Sequence, residues 1–118
     1  MALITGRIHP GEPHSSFVVE GLIKFLLSDN LEANLLRNSF IFYIVPMLNP
    51  DGVVAGNFRT SFSGKDLNRQ FNQLNKYVFP EISALHDLAI QLKHSFRSAF
   101  RFYFDFHADS SKRGLFCY

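Results

Sequence analysis

In Phe40-Ile41-Phe42-Tyr43-Ile44-Val45 every residue is β-branched or aromatic, so the run favours a strand. No polar side chain alternates with the apolar ones. Such a strand needs burial on both faces, the condition met in a parallel sheet covered by helices. Residues 39–45 are therefore expected to form a strand of that kind. Residues 2–8 are a short, largely apolar run that stops at Pro10, Gly11 and Pro13, and they read as another buried strand. Residues 99–106 read as a third.

Helical spacing fills the gaps. Val18, Val19, Leu22, Ile23, Leu26 and Leu27 repeat with a helical period, and Phe17 and Phe25 widen that face. Ser15 or Ser16 is suited to N-cap this helix, which is expected to end near residue 28. Residues 29–38 read as a polar connection with room for a short helical turn. Residues 77–97 read as a second helix, with Pro80 in its first turn and Ile82, Leu85, Leu88, Ala89 and Leu92 on one face. Between them, residues 46–75 form a long segment containing Asn49-Pro50-Asp51-Gly52, Gly56-Asn57 and Gly64, and loops of that length usually carry function. The order strand–helix–strand–loop–helix–strand points to an α/β fold, with a mostly parallel sheet flanked by helices.

The 118 residues suit one domain. A hydrophobic share of 47% and a mean hydropathy of +0.01 place the chain among soluble globular proteins. The longest strongly apolar stretches, residues 40–48 and 17–27, are far shorter than a bilayer span, and no membrane partner is expected. Met1-Ala2-Leu3-Ile4-Thr5 shows no secretory signal pattern. Cys117 is the single cysteine, which excludes an internal disulfide and fits a reducing compartment. Twelve basic against ten acidic residues give a net charge of +2, but the basic residues are scattered. A nucleic-acid surface would cluster them, so no nucleic-acid partner is expected. Residues 2–8 already read as a core strand, and Leu115-Phe116-Cys117-Tyr118 reads as the start of another, so residues 1–118 are expected to be part of a larger domain.

In a parallel sheet the C-terminal strand ends share one edge, where ligands bind. His9 follows the first strand, Asn49 the second and His107 the third. His9-Pro10-Gly11-Glu12 adds a carboxylate three positions after an imidazole. Two histidines and one glutamate form a familiar zinc ligand set that leaves a position open for water. The residues also admit a plainer reading: Gly11 and Pro13 can make a simple turn, and His107 can be a hydrogen-bonded strand-end residue. His86 and His94 read as helix-surface residues, and His14 as a helix-entry residue. In the long loop, Gly56-Asn57-Phe58-Arg59 and Asp66-Leu67-Asn68-Arg69 carry two arginines and two asparagines. An arginine fork binds a carboxylate bidentately, and one near a metal can stabilise an oxyanion. A solvated polar loop is the alternative. Arg7, Arg37, Arg97, Arg101 and Arg113 read as surface residues, with Arg7 noted for its closeness to His9.

His9-Pro10-Gly11-Glu12, Asn49-Pro50-Asp51-Gly52-Val53, Gly56-Asn57-Phe58-Arg59, Gly64-Lys65-Asp66-Leu67-Asn68-Arg69 and Asp105-Phe106-His107 occur in the order found in zinc carboxypeptidases of the funnelin type. The chain resembles that family from about Thr5 to Tyr118, and most of all its cytosolic carboxypeptidase subfamily, whose members remove glutamates from tubulin and other proteins. The resemblance implies an incomplete phosphorylase/hydrolase-like zinc carboxypeptidase fold over residues 1–118. It implies a Zn2+ ion held by His9, Glu12 and His107. Arg59 matches the arginine that polarises the scissile carbonyl. Asn68 and Arg69 match the pair that holds the substrate's terminal carboxylate. The implied reaction is hydrolysis at the C-terminus of a peptide or protein, glutamylated tubulin included, in the cytoplasm.

The pattern departs from the family where Ala108-Asp109-Ser110 replaces the usual Gly-His-Ser, adding a negative charge beside the third ligand. The resemblance also places the general-base glutamate, the substrate-covering tyrosine and the specificity pocket downstream of Tyr118, and an amino-terminal β-sandwich upstream. Glu20, Glu32 and Glu81 fall on helices or the polar connection and do not substitute for that base. The 118 residues alone are thus expected to be inactive. Two alternatives stand beside this reading: a non-catalytic zinc-binding module, and a zinc amidohydrolase of the aspartoacylase or succinylglutamate desuccinylase kind.

Overall fold

A computed structural model describes residues 1–96 and 100–117. In chain order these form β1 (Ala2–Gly6), α1 (Pro13–Leu26), α2 (Leu31–Ser39), β2 (Phe42–Val45), α3 (Pro50–Val54), a 3-10 turn (Leu67–Arg69), α4 (Pro80–Phe96) and β3 (Phe102–Phe106). The strands make a parallel sheet in the order β2-β1-β3. Ala2 pairs with Phe42 on one side and Phe102 on the other, and the register runs on to Thr5 opposite Val45 and Asp105. The expected α/β architecture is therefore present.

Alternation along β1 sorts its side chains between two layers. Leu3 joins Met1, Ile8, Leu48, Leu67, Phe79, Ile82, Leu85 and Leu92 in the main core, so α4 covers that face. Gly6 points the other way, toward α1. A Cβ there would lie 3.1 Å from Val19 Cγ2, so the absence of a side chain lets the helix approach. Phe40, Phe42, Phe102 and Phe104 extend this second face as a chain of ring contacts, with centroids 5.8 to 6.1 Å apart.

The structure departs from the sequence reading in several places. β2 is only half-buried rather than buried on both faces. The strand order explains this, since among the described residues β1 alone is paired on both edges, and it is buried throughout. The first helix begins at Pro13, with Glu12 at its cap and no side-chain capping bond. Pro13 suits the first helical position, where a missing N–H is harmless. Ser15 lies inside the first turn instead. Its hydroxyl accepts from Arg7 N at 3.0 Å and donates to Glu12 O at 2.9 Å.

The polar connection is a nine-residue helix, α2. Ala33 is fully buried, and Arg37 donates to the Leu26 and Ser28 carbonyls at the end of α1. Those carbonyls lack intrahelical partners, so Arg37 fastens α2 to α1 and makes this polar stretch helical. The long loop is not featureless, because α3 and the 3-10 turn lie within it. α4 and β3 match the expected second helix and third strand. Arg97, Ala99 and Tyr118, named in those expectations, lie outside the described residues. Leu115, Phe116 and Cys117 are exposed and form no strand.

Candidate metal centre

β1 ends where Arg7 adopts φ 56°, a left-handed conformation that turns the chain out of the sheet. Arg7 then holds that turn. Its Nε donates to Pro10 O at 2.8 Å and its NH1 to Ser16 Oγ at 2.9 Å. Arg7 is thus a structural clamp beside His9. The exit from β2 runs alongside, with Leu48 N donating to Gly6 O at 2.9 Å and Asn49 N to Arg7 O at 3.2 Å. Asn49 is fully buried. Its side-chain amide donates to Ile8 O at 3.1 Å and its carbonyl accepts from Gly52 N at 3.0 Å. Asn49 therefore caps α3 and ties it to the β1 exit. Its place at the sheet edge is structural.

This framework brings His9, Glu12 and His107 together. Glu12 Oε1 lies 2.8 Å from His9 Nδ1, and Glu12 Oε2 lies 3.2 Å from His107 Nδ1. The two rings are 4.9 Å apart by centroid, and donor atoms from the three residues all lie within 4.8 Å of one another. His9 is buried, whereas Glu12 and His107 are partly open to solvent. Ala108 N donates to Glu12 Oε2 at 2.8 Å and fixes the carboxylate from the far side.

The outward nitrogens meet carboxylates as well. His9 Nε2 is 3.1 Å from Asp66 Oδ1, and His107 Nε2 is 2.7 Å from Asp105 Oδ2. If each Nε2 carries the proton for its aspartate, each neutral imidazole turns a lone pair toward Glu12. Lone pairs facing a carboxylate are satisfied only by an added proton or a shared cation. Carboxylates behind metal-binding imidazoles are the usual device for fixing ring orientation and raising basicity. The donor set of two imidazoles and one carboxylate thus fits a zinc ion with a coordination position left open.

The charges around the site support the same reading. The hydrogen bond that His107 makes to Asp105, with the charges of Asp105 and Glu12, raises the His107 pKa above its ordinary 6.5 despite opposing burial. Burial pushes the Asp66 carboxyl up, but bonds from Arg59, His9 and Asn68 N outweigh it and hold the group below its ordinary 3.8.

Asp66 also organises the loop. It accepts from Arg59 Nε at 2.8 Å through Oδ2, and from Asn68 N at 2.9 Å through the oxygen that faces His9. Leu67, fully buried in the main core, anchors the turn. Arg59 is thereby joined to the histidine cluster through a single carboxylate. Asn68 is tied to it by its backbone, while Arg69 is exposed and its NH1 donates to Asn68 O at 3.2 Å. Gly11 N donates to Phe58 O at 2.6 Å, so the Arg59 segment rests directly on the His9–Glu12 turn. His14 and His94 are exposed, and His86 lies 3.6 Å from Asp87. Asp66 and Asp105 received no role from the sequence, although each stands in a quoted motif. The Asp-x-His spacing was a signal for the nearness of Asp105 to His107, since residues two apart along an extended strand share a face, whereas Asp66 carried no such signal.

The family model for zinc carboxypeptidases matches residues 1–111. The chain belongs to the zinc carboxypeptidase family. It is 43% identical to human cytosolic carboxypeptidase 6 over its full length, covering 24% of that protein. It is 47% identical to human cytosolic carboxypeptidase 4 over 98% of the chain, covering 10% of that protein. Among solved structures, a metallo-carboxypeptidase from Burkholderia cenocepacia superposes with a TM-score of 0.80 at 36% identity, over 92% of this chain and 28% of that one. The chain spans less than a quarter of the length of these curated relatives. The expected family and fold class are both borne out, and the relatives are carboxypeptidases rather than aspartoacylase-like amidohydrolases. Among the described residues, no helix is long and apolar enough to cross a membrane.

Proposed function

We propose that these residues form the metal and substrate-carboxylate portion of a cytoplasmic metallocarboxypeptidase that removes C-terminal residues, glutamates among them, from peptides or proteins such as glutamylated tubulin. The observation behind this is the meeting of His9, Glu12 and His107 at the C-terminal edge of a parallel sheet, with donor atoms within 4.8 Å. His9, Glu12 and His107 would hold a zinc ion, which when bound would supply a Lewis acid for the scissile carbonyl and lower the pKa of water. Arg59, oriented through Nε by Asp66, has its outer guanidinium nitrogens to offer to the carbonyl oxygen as negative charge develops. Asn68 and Arg69 hold the substrate's terminal carboxylate. Arg69 is exposed, and its planar fork matches that group.

The carboxylates against the two imidazoles are Glu12, Asp66 and Asp105, each also engaged by another group: Ala108 N, Arg59 and Thr5 respectively. None is placed as a spare general base, and the 118 residues alone are proposed to bind without turning over. The test compares a glutamate-terminated peptide with its C-terminal amide. The free carboxylate is expected to bind at least about tenfold more tightly, the scale of a charge-assisted hydrogen bond. Arg69→Ala is expected to erase the difference. Equal binding of acid and amide would remove the substrate assignment, and chelator-sensitive turnover by the 118 residues would remove the inactive reading.

Proton competition adds a further expectation. His107 has a raised folded-state pKa, so its pairing with Asp105 and Glu12 stabilises the metal-free fold fully below pH 6.5. That contribution is lost as pH rises through the raised value. Zinc needs the imidazole deprotonated, so zinc affinity is expected to climb across the same window. Melting temperatures of chelator-treated and zinc-loaded protein should therefore diverge as pH rises above 6.5. A constant difference would contradict the role of His107.

A further inference from the structure

We propose that Asp105, anchored by Thr5 and Tyr103, is a positioning residue that fixes the ring of His107 so that Nδ1 faces the candidate metal centre. This rests on the zinc reading above and adds a requirement to it.

The anchor follows from strand register. Tyr103 stands opposite Leu3 and Asp105 opposite Thr5 in the β1–β3 pair. Residues 3, 5, 103 and 105 therefore project to one face of the sheet. Thr5 is fully buried in the central strand. Its hydroxyl has one proton to give, and a carboxylate can only accept. Thr5 Oγ1 thus donates to Asp105 Oδ1 at 2.7 Å, and the Tyr103 hydroxyl 3.1 Å away donates to Thr5 Oγ1.

With Oδ1 occupied, Oδ2 is the oxygen presented to His107, 2.7 Å from Nε2. A hydrogen bond of that length to a carboxylate requires the proton on Nε2. In the neutral ring the lone pair is then on Nδ1, the nitrogen facing Glu12 Oε2 at 3.2 Å. The clamp matters because the His107 side chain is 28% exposed. A ring so open has room to turn over and exchange its nitrogens. His9 differs, being 3% exposed, and its own carboxylate comes from a loop residue rather than the sheet. The position of the third donor is thereby built into the central strand pair.

The test uses Thr5→Val, Thr5→Ser and Asp105→Asn in the full chain. Thr5→Val is nearly isosteric and removes only the hydroxyl. Its zinc affinity, measured by competition with a chromogenic chelator, is expected to fall by up to about 10-fold, and that of Asp105→Asn, which alters the direct partner of His107, by about 10-fold to 100-fold. Thr5→Ser keeps the hydroxyl and should recover most of the loss. Two-bond 1H–15N spectra of zinc-loaded wild-type protein should show His107 protonated on Nε2. Melting curves accompany each variant. If Thr5→Val fails to fold, Asp105→Asn carries the comparison, because it keeps an acceptor near His107 and loses the charge. Unchanged zinc affinity in folded Thr5→Val or Asp105→Asn, or a proton on Nδ1, overturns the proposal while leaving zinc binding intact. Wild-type protein that takes up no zinc removes the zinc reading, and this proposal with it.

Discussion

His107→Ala is expected to abolish stoichiometric zinc binding while leaving the metal-free fold in place. His107 supplies one of the three clustered donors, from just beyond the C-terminal end of β3. Its removal leaves His9 and Glu12, whose Oε2 still accepts from Ala108 N. Two donors from one turn cannot fill the three-ligand set of a catalytic zinc site. The loss should exceed the roughly 10–100-fold associated with losing an outer hydrogen-bond partner, because an inner ligand is gone. Chelator competition measures this directly. The apolar core should be unaffected, since the ring is 28% exposed and lies outside it. The metal-free variant loses the His107 pairing with Asp105 and Glu12, a loss that is largest below pH 6.5. A variant that binds zinc as wild-type does would show that the ion sits elsewhere.

Gly52→Ala is expected to cause a large loss of stability through a single added methyl group. A Cβ at Gly52 would lie 2.6 Å from Asn49 Oδ1, 2.6 Å from Pro10 Cγ and 2.7 Å from Thr60 O. These distances are below ordinary van der Waals contact, so something must move. The neighbours belong to three different segments: the β2 exit, the turn after His9 and the strand of loop after Arg59. Thr60 O also accepts from the Asn57 amide at 3.2 Å, so it is held in place. Overpacking of this kind costs about 1–3 kcal/mol, and the rigidity of the neighbours places Gly52→Ala near the upper end. Because Pro10 and Thr60 adjoin His9 and Arg59, zinc affinity should fall as well. Gly21→Ala is the control, since nothing lies within 4 Å of the added carbon. Denaturant melts of the two variants decide the matter. Equal stability of Gly52→Ala and wild type would contradict the packing described.

The order of strands and helices was legible because each strand is a largely apolar run and each long helix has a clear apolar face. Burial was less legible. The composition of Phe42–Val45 gives no sign that one edge of β2 carries no strand among the described residues, and the strand is half-buried for that reason. α2 was expected as no more than a short helical turn, because its polar residues become a nine-residue helix through a tertiary contact, the bonds from Arg37 to the end of α1. Pro13 and Ser15 competed for the helix start. Ser15 was the better capping residue by type, but its hydroxyl serves Arg7 and Glu12 instead.

The candidate site shows the same division. His9 and His107 could be placed because strand ends are visible in a sequence and the C-terminal ends of parallel strands share an edge. Asp66 and Asp105 could not be assigned, because their role depends on which imidazole nitrogen faces outward. That orientation is set by side chains on other segments, such as Thr5 for Asp105. Asn49 lies at the expected edge yet serves the backbone, a distinction that only its hydrogen bonds reveal.

The most direct measurement is X-ray absorption on protein loaded with zinc and dialysed free of excess metal, together with its zinc content. One zinc per chain is expected, bound by nitrogen and oxygen at about 2.0–2.1 Å with the scattering pattern of two imidazoles. A zinc–sulfur distance, which would place the ion on Cys117, or protein that retains no zinc, would contradict the assignment of His9, Glu12 and His107 as the metal centre.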